Sequence, residues 1–213
     1  MTRMSRLLSL FPLIHAMVVL GLFLGAGLAN SRGICLSLLS GGFVVLYLLP
    51  PFLFRLHNFY YPLQQGRNEL SDPKRYISWW GGHQLQGLFL AFSSLEAVLR
   101  IVPGLYSAWL RLWGAKIGKG VYWTPQIEII DRSLVDIGDG VIFGYQTKLC
   151  SHVVIRRRGA LDLYVRSLTI GPHCFVGAHS HLGPGTRVEA GVTLPYSTLA
   201  TVNRRFGKPG GNV

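Results

Sequence analysis

Cysteine and acidic residues are both scarce in this chain of 213 residues. The three cysteines, Cys35, Cys150 and Cys174, form no Cys-X-X-Cys pair, so the sequence predicts neither a disulfide framework nor a structural zinc site. Only 9 Asp and Glu residues accompany 21 Lys and Arg, which leaves a formal net charge of +12. Such a basic excess favours anionic partners such as membrane lipid or a phosphate-bearing cosubstrate. No nucleic-acid-binding motif is present, and nucleic acid is not an expected partner.

Charged residues are also absent from two long apolar runs near the N-terminus, at 7–29 and 34–54. Each run is long enough to cross a hydrocarbon core of about 30 Å as a helix. Lys and Arg are more frequent before the first run and after the second run than in the short segment between them. This distribution predicts a two-span transmembrane hairpin over residues 1–56 with both ends in the cytoplasm. The protein is then a multi-pass protein of a bacterial inner membrane. A cleaved signal peptide ending near Ala29 is the alternative interpretation of the first run.

Residues 57–114 are predicted to hold a polar linker followed by amphipathic helices. Between residues 76 and 113 apolar residues recur at roughly helical spacing, and the pattern breaks at Pro103-Gly104. We expect two helices lying on the membrane surface, with a third spanning or re-entrant segment as the alternative. The tryptophans suited to the membrane interface are Trp79, Trp80, Trp109 and Trp113.

From Ile117 onward the sequence repeats every six residues. At one position of the repeat, which forms the first column, a large apolar residue precedes glycine. Four positions after each large residue stands a small or β-branched one, and these residues form the second column. Because both columns keep the same six-residue period, they predict a β-solenoid over residues 115–202. In such a fold the side chains of both columns point inward and are buried against those of the neighbouring coils. The pairs are Ile117-Gly118, Ile137-Gly138, Phe143-Gly144, Ile170-Gly171, Val176-Gly177 and Leu182-Gly183.

The six-residue period is broken in two places. It slips by two residues between Ile129 and Ile137, and a basic segment without hexads interrupts it between Ile155 and Ile170. We predict that residues 156–167 form a protruding loop, either simply solvated or acting as a lid over an adjacent site. A basic tail is predicted at residues 203–213.

These hexads, from Ala115 to about Thr201, resemble the left-handed β-helix of the hexapeptide-repeat acyltransferase superfamily. The most specific match is the run 137–144, followed by Cys150-Ser151-His152, the interruption, and the return of hexads at Ile170-Gly171. In the maltose/galactoside and streptogramin acetyltransferase branch, a catalytic histidine stands just before such an interruption, and His152 has that place. The resemblance implies a left-handed parallel β-helix, a homotrimer and an acyl thioester donor.

Together these features predict an α+β membrane protein, with a transmembrane hairpin and interfacial helices ahead of the β-helix. The predicted function is transfer of an acyl group, most simply acetyl, to a hydroxyl or amine of a membrane-associated or saccharide acceptor. The soluble members of the resembling branch have no such hairpin, which favours a lipid-linked acceptor. They also usually close with a short tail that includes a Gly-Val-Pro-like turn, whereas residues 203–209 here are Asn-Arg-Arg-Phe-Gly-Lys-Pro, so the resemblance does not extend to the cofactor-binding tail.

His152 is the predicted general base, because an imidazole can take the acceptor's proton as the acceptor attacks the thioester. Its orienting partner is either a backbone carbonyl or Asp162. Coenzyme A would place its pantetheine arm beside Gly177 and Ala178, and an acyl carrier protein is the alternative donor. No tightly bound cofactor is expected. The candidate contacts for the phosphates of coenzyme A are Arg187, Arg204, Arg205 and Lys208.

Two other functions fit the same sequence. One is a non-catalytic, membrane-tethered scaffold. The other is a zinc enzyme resembling the γ-class carbonic anhydrases, although His173, His179 and His181 do not reproduce the ligand spacing of that family, and we predict no metal site. Cys150 as a covalent nucleophile is a further alternative. His57 and His83 fall in the membrane-associated half, where packing is their expected role.

Overall fold

The computed structural model describes residues 2–70, 75–157 and 159–207. Contacts divide the chain into two units. The first lies within Met1–Leu63 and Pro73–Phe92, and the second within Gln64–Asp72 and Ser93–Val213. Residues 208–213, the end of the predicted basic tail with Lys208, lie outside the described residues.

The first unit is built from apolar helices. Its first helical stretch consists of α1 (Arg3–Ser9) and α2 (Phe11–Gly27), and its second of α3 (Arg32–Tyr47) and α4 (Leu49–Tyr60). Both α2 and α4 carry proline at their first positions, where a missing backbone N–H costs no helical hydrogen bond. Helices α2 and α3 pack against each other. The chain is therefore an α+β protein whose N-terminal part is helical.

Two continuous helical stretches, Arg3–Gly27 and Arg32–Tyr60, are long and apolar enough to cross a membrane, with mean hydropathies of 2.4 and 2.0. In the most apolar part of each stretch, only 6% and 17% of the residues are buried. Two such helices are weak evidence for a membrane, since a signal sequence has the same length and composition. Membrane insertion and a cytoplasmic location of the remaining chain stay predictions.

The helices predicted to lie on the membrane surface are four short ones. Helices α5 (Ser78–Leu85) and α6 (Gly87–Ala91) belong to the first unit, and α7 (Ser94–Ile101) and α8 (Leu105–Trp113) to the second. Trp109 and Trp113 are 3% and 0% exposed, because α8 packs its apolar face on the first solenoid coil. The expectation that these two tryptophans lie at a membrane interface is therefore wrong.

The second unit contains three parallel sheets through which the chain winds repeatedly. The first sheet has the order β15-β12-β9-β4-β2, the second β13-β10-β5 and the third β14-β11-β6-β3. In chain order the strands are β2 (Lys116–Ile117), β3 (Glu128–Ile129), β4 (Val135–Ile137), β5 (Ile142–Phe143), β6 (Lys148–Leu149), β9 (Leu168–Ile170), β10 (Phe175–Val176), β11 (His181–Leu182), β12 (Arg187–Val188), β13 (Thr193–Leu194), β14 (Leu199–Ala200) and β15 (Arg205–Phe206). The parallel coils agree with the predicted solenoid, and its left-handedness stays a prediction.

The register between coils shows where extra residues enter. Arg187 pairs with Arg205, an offset of 18 residues, or three hexads. Lys116 pairs with Asp136, an offset of 20, and Asp136 pairs with Thr169, an offset of 33. The first coil therefore has two extra residues, taken up at the 3-10 turn Arg132–Leu134, and the second has fifteen. The coils also continue to Phe206, four residues beyond the predicted end at 202.

Both columns of the repeat fill the interior of the coils. The large apolar residues Phe143, Val176 and Leu182 are at most 1% exposed, and the small residues Thr147 and Ser180 are fully buried. Glycine is needed at the corners for close stacking. A Cβ on Gly171 would lie 2.6 Å from the backbone nitrogen of Ala190 in the next coil.

The interruption of the second coil is an ordered β-hairpin rather than the predicted loop at 156–167. Its strands are β7 (His152–Arg157) and β8 (Ala160–Val165), and β8 also pairs with β1 (Gly66–Glu69). The consecutive β-branched residues 153–155 on β7 and the alternating Leu161, Leu163 and Val165 on β8 favour this pairing, and Leu163 and Val165 are fully buried. The chain therefore leaves the coil at His152 itself, four residues earlier than predicted.

Candidate active site at a solenoid corner

His152 lies at the turn from the third sheet to the first sheet, which we call the site corner. Elsewhere the solenoid turns through residues in the left-handed region, such as His173 and His179 with φ of 57° and 58°. At His152 the chain instead continues outward as β7. His152 therefore shares a sequence position with those histidines but not their conformation.

Asp131 reaches the same corner from the preceding coil. Strands β3 and β6 pair in parallel, with Ile129 opposite Leu149, so the residues that follow them stack one above the other. The Oδ2 atom of Asp131 lies 2.7 Å from Nδ1 of His152 and accepts a hydrogen bond of 2.8 Å from the backbone N–H of Ser151. The hydroxyl of Ser151 donates to the carbonyl oxygen of Leu134. The partner of His152 is thus Asp131.

This partner corrects the expectation of Asp162 or a backbone carbonyl. Asp162 lies on β8 opposite Ile155, and its side chain is on the other face of the hairpin from His152. The sequence did carry a signal for Asp131, since this residue lies within the two-residue slip of the first coil.

The hydrogen bond fixes the tautomer of the imidazole. An Nδ1–H that donates to the Asp131 carboxylate puts the lone pair on Nε2, which is then the atom able to accept a proton. The two side chains are 18% and 2% exposed, so the carboxylate is held away from water while the ring reaches the surface. This arrangement of a buried carboxylate orienting an imidazole is suited to general-base chemistry.

The carboxylate also changes the basicity of the ring. Burial lowers the pKa of His152, but the hydrogen bond to Asp131, a second contact with Cys150 and the attraction of the Asp131 charge together raise it to about 10. A neutral, proton-accepting ring therefore makes up about one part in a thousand at pH 7. His152 is a stronger base than an ordinary histidine, and it is charged over most of the physiological range.

Cys150 completes the cluster at the corner. Its Sγ lies 3.7 Å from Nδ1 of His152, and the thiol donates to the carbonyl oxygen of His152 at 3.3 Å. Because Nδ1 of His152 carries the hydrogen that it donates to Asp131, this nitrogen has no lone pair to take the thiol proton, which instead goes to a backbone carbonyl. The geometry therefore does not favour Cys150 as a covalent nucleophile.

The same three residues are the candidate ligands for a metal ion. Within the described ranges, Asp131, Cys150 and His152 are the group whose ligand atoms approach one another, all within 4.8 Å. Two ligands at zinc bond lengths of about 2.0–2.2 Å stand roughly 3.3 Å apart in a tetrahedron. The 2.7 Å between Oδ2 of Asp131 and Nδ1 of His152 is the length of a direct hydrogen bond instead, so these residues do not fit a shared zinc ion.

A buried ion pair holds the residue that follows Asp131 in the chain. Arg132, the next residue, is 1% exposed, pairs with Glu96 of α7, and lies over the rings of Trp109 and Trp113 at 5.7 and 5.9 Å. The hydroxyl of Tyr106 donates to the other carboxylate oxygen of Glu96 at 2.5 Å. Helices α7 and α8 therefore hold the 3-10 turn that begins beside Asp131. The sequence offered no signal for these contacts.

The residues predicted to bind coenzyme A fall in two places. Arg204 lies at the site corner two coils beyond His152, and its carbonyl accepts from the N–H of Arg187 in the neighbouring coil. Coil spacing of about 4.8 Å puts Arg204 roughly 10 Å from His152 along the solenoid. Gly177 and Ala178 lie at the next corner back, between the second and third sheets. Within one copy of the chain they are not brought to His152.

Two of the remaining histidines, His179 and His57, contact aromatic side chains. His179 lies between the rings of Tyr145 and Tyr196, with centroids 5.8 and 5.2 Å away. His57 is 2.5 Å from the hydroxyl of Tyr76. His181 faces outward on β11 and lines a polar depression of about 320 Å³.

Comparison with known proteins gives structural neighbours only. No family model matches the sequence, and neither does any curated protein. A hexapeptide-repeat-containing acetyltransferase from Vibrio cholerae is similar over 57% of this chain and 88% of its own, with 13% identity and a TM-score of 0.36. The same protein complexed with acetyl coenzyme A gives 17% identity and a TM-score of 0.35 over 56% of this chain and 84% of its own.

A galactoside acetyltransferase in complex with coenzyme A has 15% identity and a TM-score of 0.36, over 56% of this chain and 76% of its own. The structural neighbours are thus acetyltransferases of the hexapeptide-repeat kind. TM-scores below 0.5 do not establish a common fold. The functional proposal below therefore depends on the residues of this chain.

Proposed function

We propose that this protein is an acyltransferase that moves an acyl group, most simply acetyl, from an acyl thioester to a hydroxyl or amine. The observation that carries the proposal is the hydrogen-bonded pair of His152 and Asp131 at the site corner. It stands where the hexads are interrupted, which is the place of the catalytic histidine in the resembling acetyltransferases. Membrane anchoring, a cytoplasmic catalytic unit, a left-handed coil and a homotrimer belong to the same proposal.

The proposed reaction uses Nε2 of His152 twice. As the acceptor oxygen or nitrogen forms its bond to the thioester carbonyl carbon, Nε2 takes the proton that the acceptor loses. The tetrahedral intermediate then expels the thiolate, which receives this proton from Nε2, so the products are the acylated acceptor and a free thiol. The Asp131 carboxylate stabilises the imidazolium that exists between the two transfers.

The donor is coenzyme A or an acyl carrier protein. Arg187 and Arg204, on neighbouring coils just beyond the site corner, are the proposed contacts for phosphate. Arg187 also lines a depression of about 380 Å³ together with Arg166, Lys116 and Asp136. Lys116 is paired with Asp136 at 3.7 Å, so the two arginines give this space its net positive charge. An anionic donor would gain from that charge. Gly177 and Ala178 stay proposed contacts for the pantetheine arm, across a boundary with another copy of the chain.

The proposal is tested by transfer of radiolabelled acetyl from acetyl coenzyme A to membrane lipids and saccharides by the purified full chain. We expect His152→Ala to lower transfer at least about 100-fold, the usual range for removing a general base. His181→Ala is the matched control, because it removes an outward-facing histidine from the same solenoid and leaves the site corner unchanged. Full transfer by the His152 variant would remove the proposed mechanism.

A further inference from the structure

The hairpin that begins at His152 has two chemically different faces. Side chains alternate along a strand, and residues opposite each other across the hairpin share a face. We call the face that carries His152 the histidine face, and the other the mixed face. The histidine face consists of His152, Val154, Arg156, Leu161, Leu163 and Val165, and the mixed face of Val153, Ile155, Arg157, Ala160, Asp162 and Tyr164.

The histidine face changes from buried to exposed along its length. On β8, Leu163 and Val165 are fully buried, and Leu161 nearer the tip is 40% exposed. On β7, Val154 lies opposite Leu163 but is 50% exposed, and Arg156 nearer the tip is exposed as well. The hairpin therefore projects past the surface on which it packs. It leaves an apolar strip with a cation at its end, directly continuous with the imidazole.

Charge separates the two faces. The register extends the mixed face onto β1 through Arg67 and Glu69, and Glu69 lies opposite Asp162. That face thus carries acids and bases together, as expected of a solvated surface. The histidine face continues onto β1 through Gly66 and Asn68 and includes no acidic residue among those described. Both faces expose apolar side chains, since Ile155 on the mixed face is 38% exposed, so the faces differ in their charge. A face with exposed apolar side chains and charge of one sign would suit a ligand that is apolar and anionic.

We propose that the acyl acceptor is an anionic amphiphile, whose apolar part lies on Val154 and Leu161 and whose phosphate or carboxylate pairs with Arg156. This inference rests on the proposed function, since it takes His152 as the reacting end of the site. Same-face residues of a strand stand about 6.7 Å apart, so Val154 is one step and Arg156 two steps, or roughly 13 Å, from His152. The anionic group would lie at that distance from the group that is acylated.

Binding of hexyl phosphate provides the test, since this soluble probe joins a short apolar chain to a phosphate. Equilibrium dialysis of the ³²P-labelled compound would use the full chain in phosphatidylcholine nanodiscs, with empty nanodiscs as the blank. We expect Arg156→Gln and Val154→Ser each to weaken binding by about tenfold, which corresponds to the loss of one charge-assisted hydrogen bond or a comparable apolar contact. Inorganic phosphate should bind more weakly than hexyl phosphate.

The neighbouring residues provide matched controls. Arg157→Gln removes the same charge and Ile155→Ser a similar apolar group, but both lie on the mixed face. We expect these two variants to bind hexyl phosphate as the unmodified chain does. Equal losses in Arg156→Gln and Arg157→Gln would overturn the proposal, because they would show attraction by net charge alone. Inorganic phosphate binding as tightly as hexyl phosphate, or no binding of hexyl phosphate, would also overturn it.

The same experiment separates this proposal from the proposed function. We expect His152→Ala to keep hexyl phosphate binding while it loses acyl transfer, because the imidazole is not a contact of the anionic group. If His152→Ala still transfers acyl groups, the proposed function is contradicted. The difference in hexyl phosphate binding between the two faces is then a separate result that this outcome does not change. If variants of both faces bind hexyl phosphate equally well while His152→Ala abolishes acyl transfer, the proposed anionic acceptor is contradicted and the proposed function is not.

Discussion

The first two coils of the solenoid differ from the last two, although all share the same buried columns. From Leu168 onward strands pair at a constant offset of 18 residues, as in Phe175 with Thr193 and His181 with Leu199. In the earlier coils, two extra residues bring Asp131 and Arg132 to the site corner, and fifteen more form the hairpin that starts at His152. Every side chain of the proposed dyad therefore comes from an irregular coil. The regular coils form a uniform stack, and the irregular coils carry the residues of the proposed catalytic dyad.

Removing the buried ion pair from the first coil should have the largest effect. Arg132→Met leaves the carboxylate of Glu96 buried beside Tyr106 without its cation. We expect a loss of about 3–5 kcal/mol in the free energy of unfolding of the second unit, the usual cost of an uncompensated buried charge. Urea unfolding followed by tryptophan fluorescence would measure it. A loss below 1 kcal/mol would show that α7 and α8 do not stabilise the irregular coil through this pair.

The pH dependence of the irregular coils should be nearly as large. Because the pKa of His152 is raised to about 10, we expect log(kcat/KM) to rise with a slope of about one from pH 6 to 9. The rate would then gain roughly 10³-fold between pH 7 and 10. A rate that levels off near pH 7 would show that Asp131 does not raise the pKa in solution.

The same shift affects stability. A folded pKa above the unfolded value of 6.5 means that the charged pair stabilises the fold fully below pH 6.5, and that this contribution is lost as the pH rises through about 10. The urea midpoint of the second unit should fall over this range. In Asp131→Asn the fall should be smaller.

Asp131→Asn should change the rate and its pH profile together. Without the carboxylate the pKa of His152 falls, so the neutral ring becomes common at lower pH while its orientation and the stabilisation of the imidazolium are lost. We expect a loss of about 100-fold in kcat/KM at pH 9 and a much smaller loss at pH 7. Equal losses at both pH values would mean that Asp131 acts on structure alone.

Gly177→Ala examines a regular coil. A Cβ at this position would lie 2.5 and 2.6 Å from backbone atoms of Pro195 and Tyr196 in the next coil. We expect the unfolding free energy to fall by about 1–3 kcal/mol, as for other overpacked sites, and the KM for acetyl coenzyme A to rise because Gly177 is a proposed contact of the pantetheine arm. A loss of stability with an unchanged KM would show that Gly177 serves coil packing alone and is not a contact of the donor.

The smallest effect is expected at the exposed ion pair between Glu128 and Lys148, whose side chains are 44% and 40% exposed. Glu128→Gln should change the unfolding free energy by less than about 1 kcal/mol, because solvent screens such pairs. It provides the surface comparison for Arg132→Met. A cost as large as that of the buried pair would mean that position in the coil, rather than burial, determines these energies.

The repeat and His152 were predictable from the sequence because both depend on local periodicity. Large apolar residues such as Phe143 recur every six positions, and His152 stands where the recurrence stops. Asp131 was missed, although the two-residue slip marked its coil, because only the stacking of coils brings it to His152. Glu96 and Arg132 are 36 positions apart and meet through helix packing, for which no periodic pattern exists. The hairpin was taken for a loop because its charge cluster concealed the alternation of Leu161, Leu163 and Val165.

The constant offset of 18 residues has a consequence for engineering. One repeat unit, such as residues 187–204, makes one full turn of the solenoid. The residue that follows it, Arg205, pairs with the first residue of the unit, Arg187. Duplicating that unit would lengthen the stack by about 4.8 Å without moving His152 or Asp131. The distance between the dyad and a terminal Arg205 would become an adjustable parameter, and a series of such chains would serve as a molecular ruler for the length of the donor.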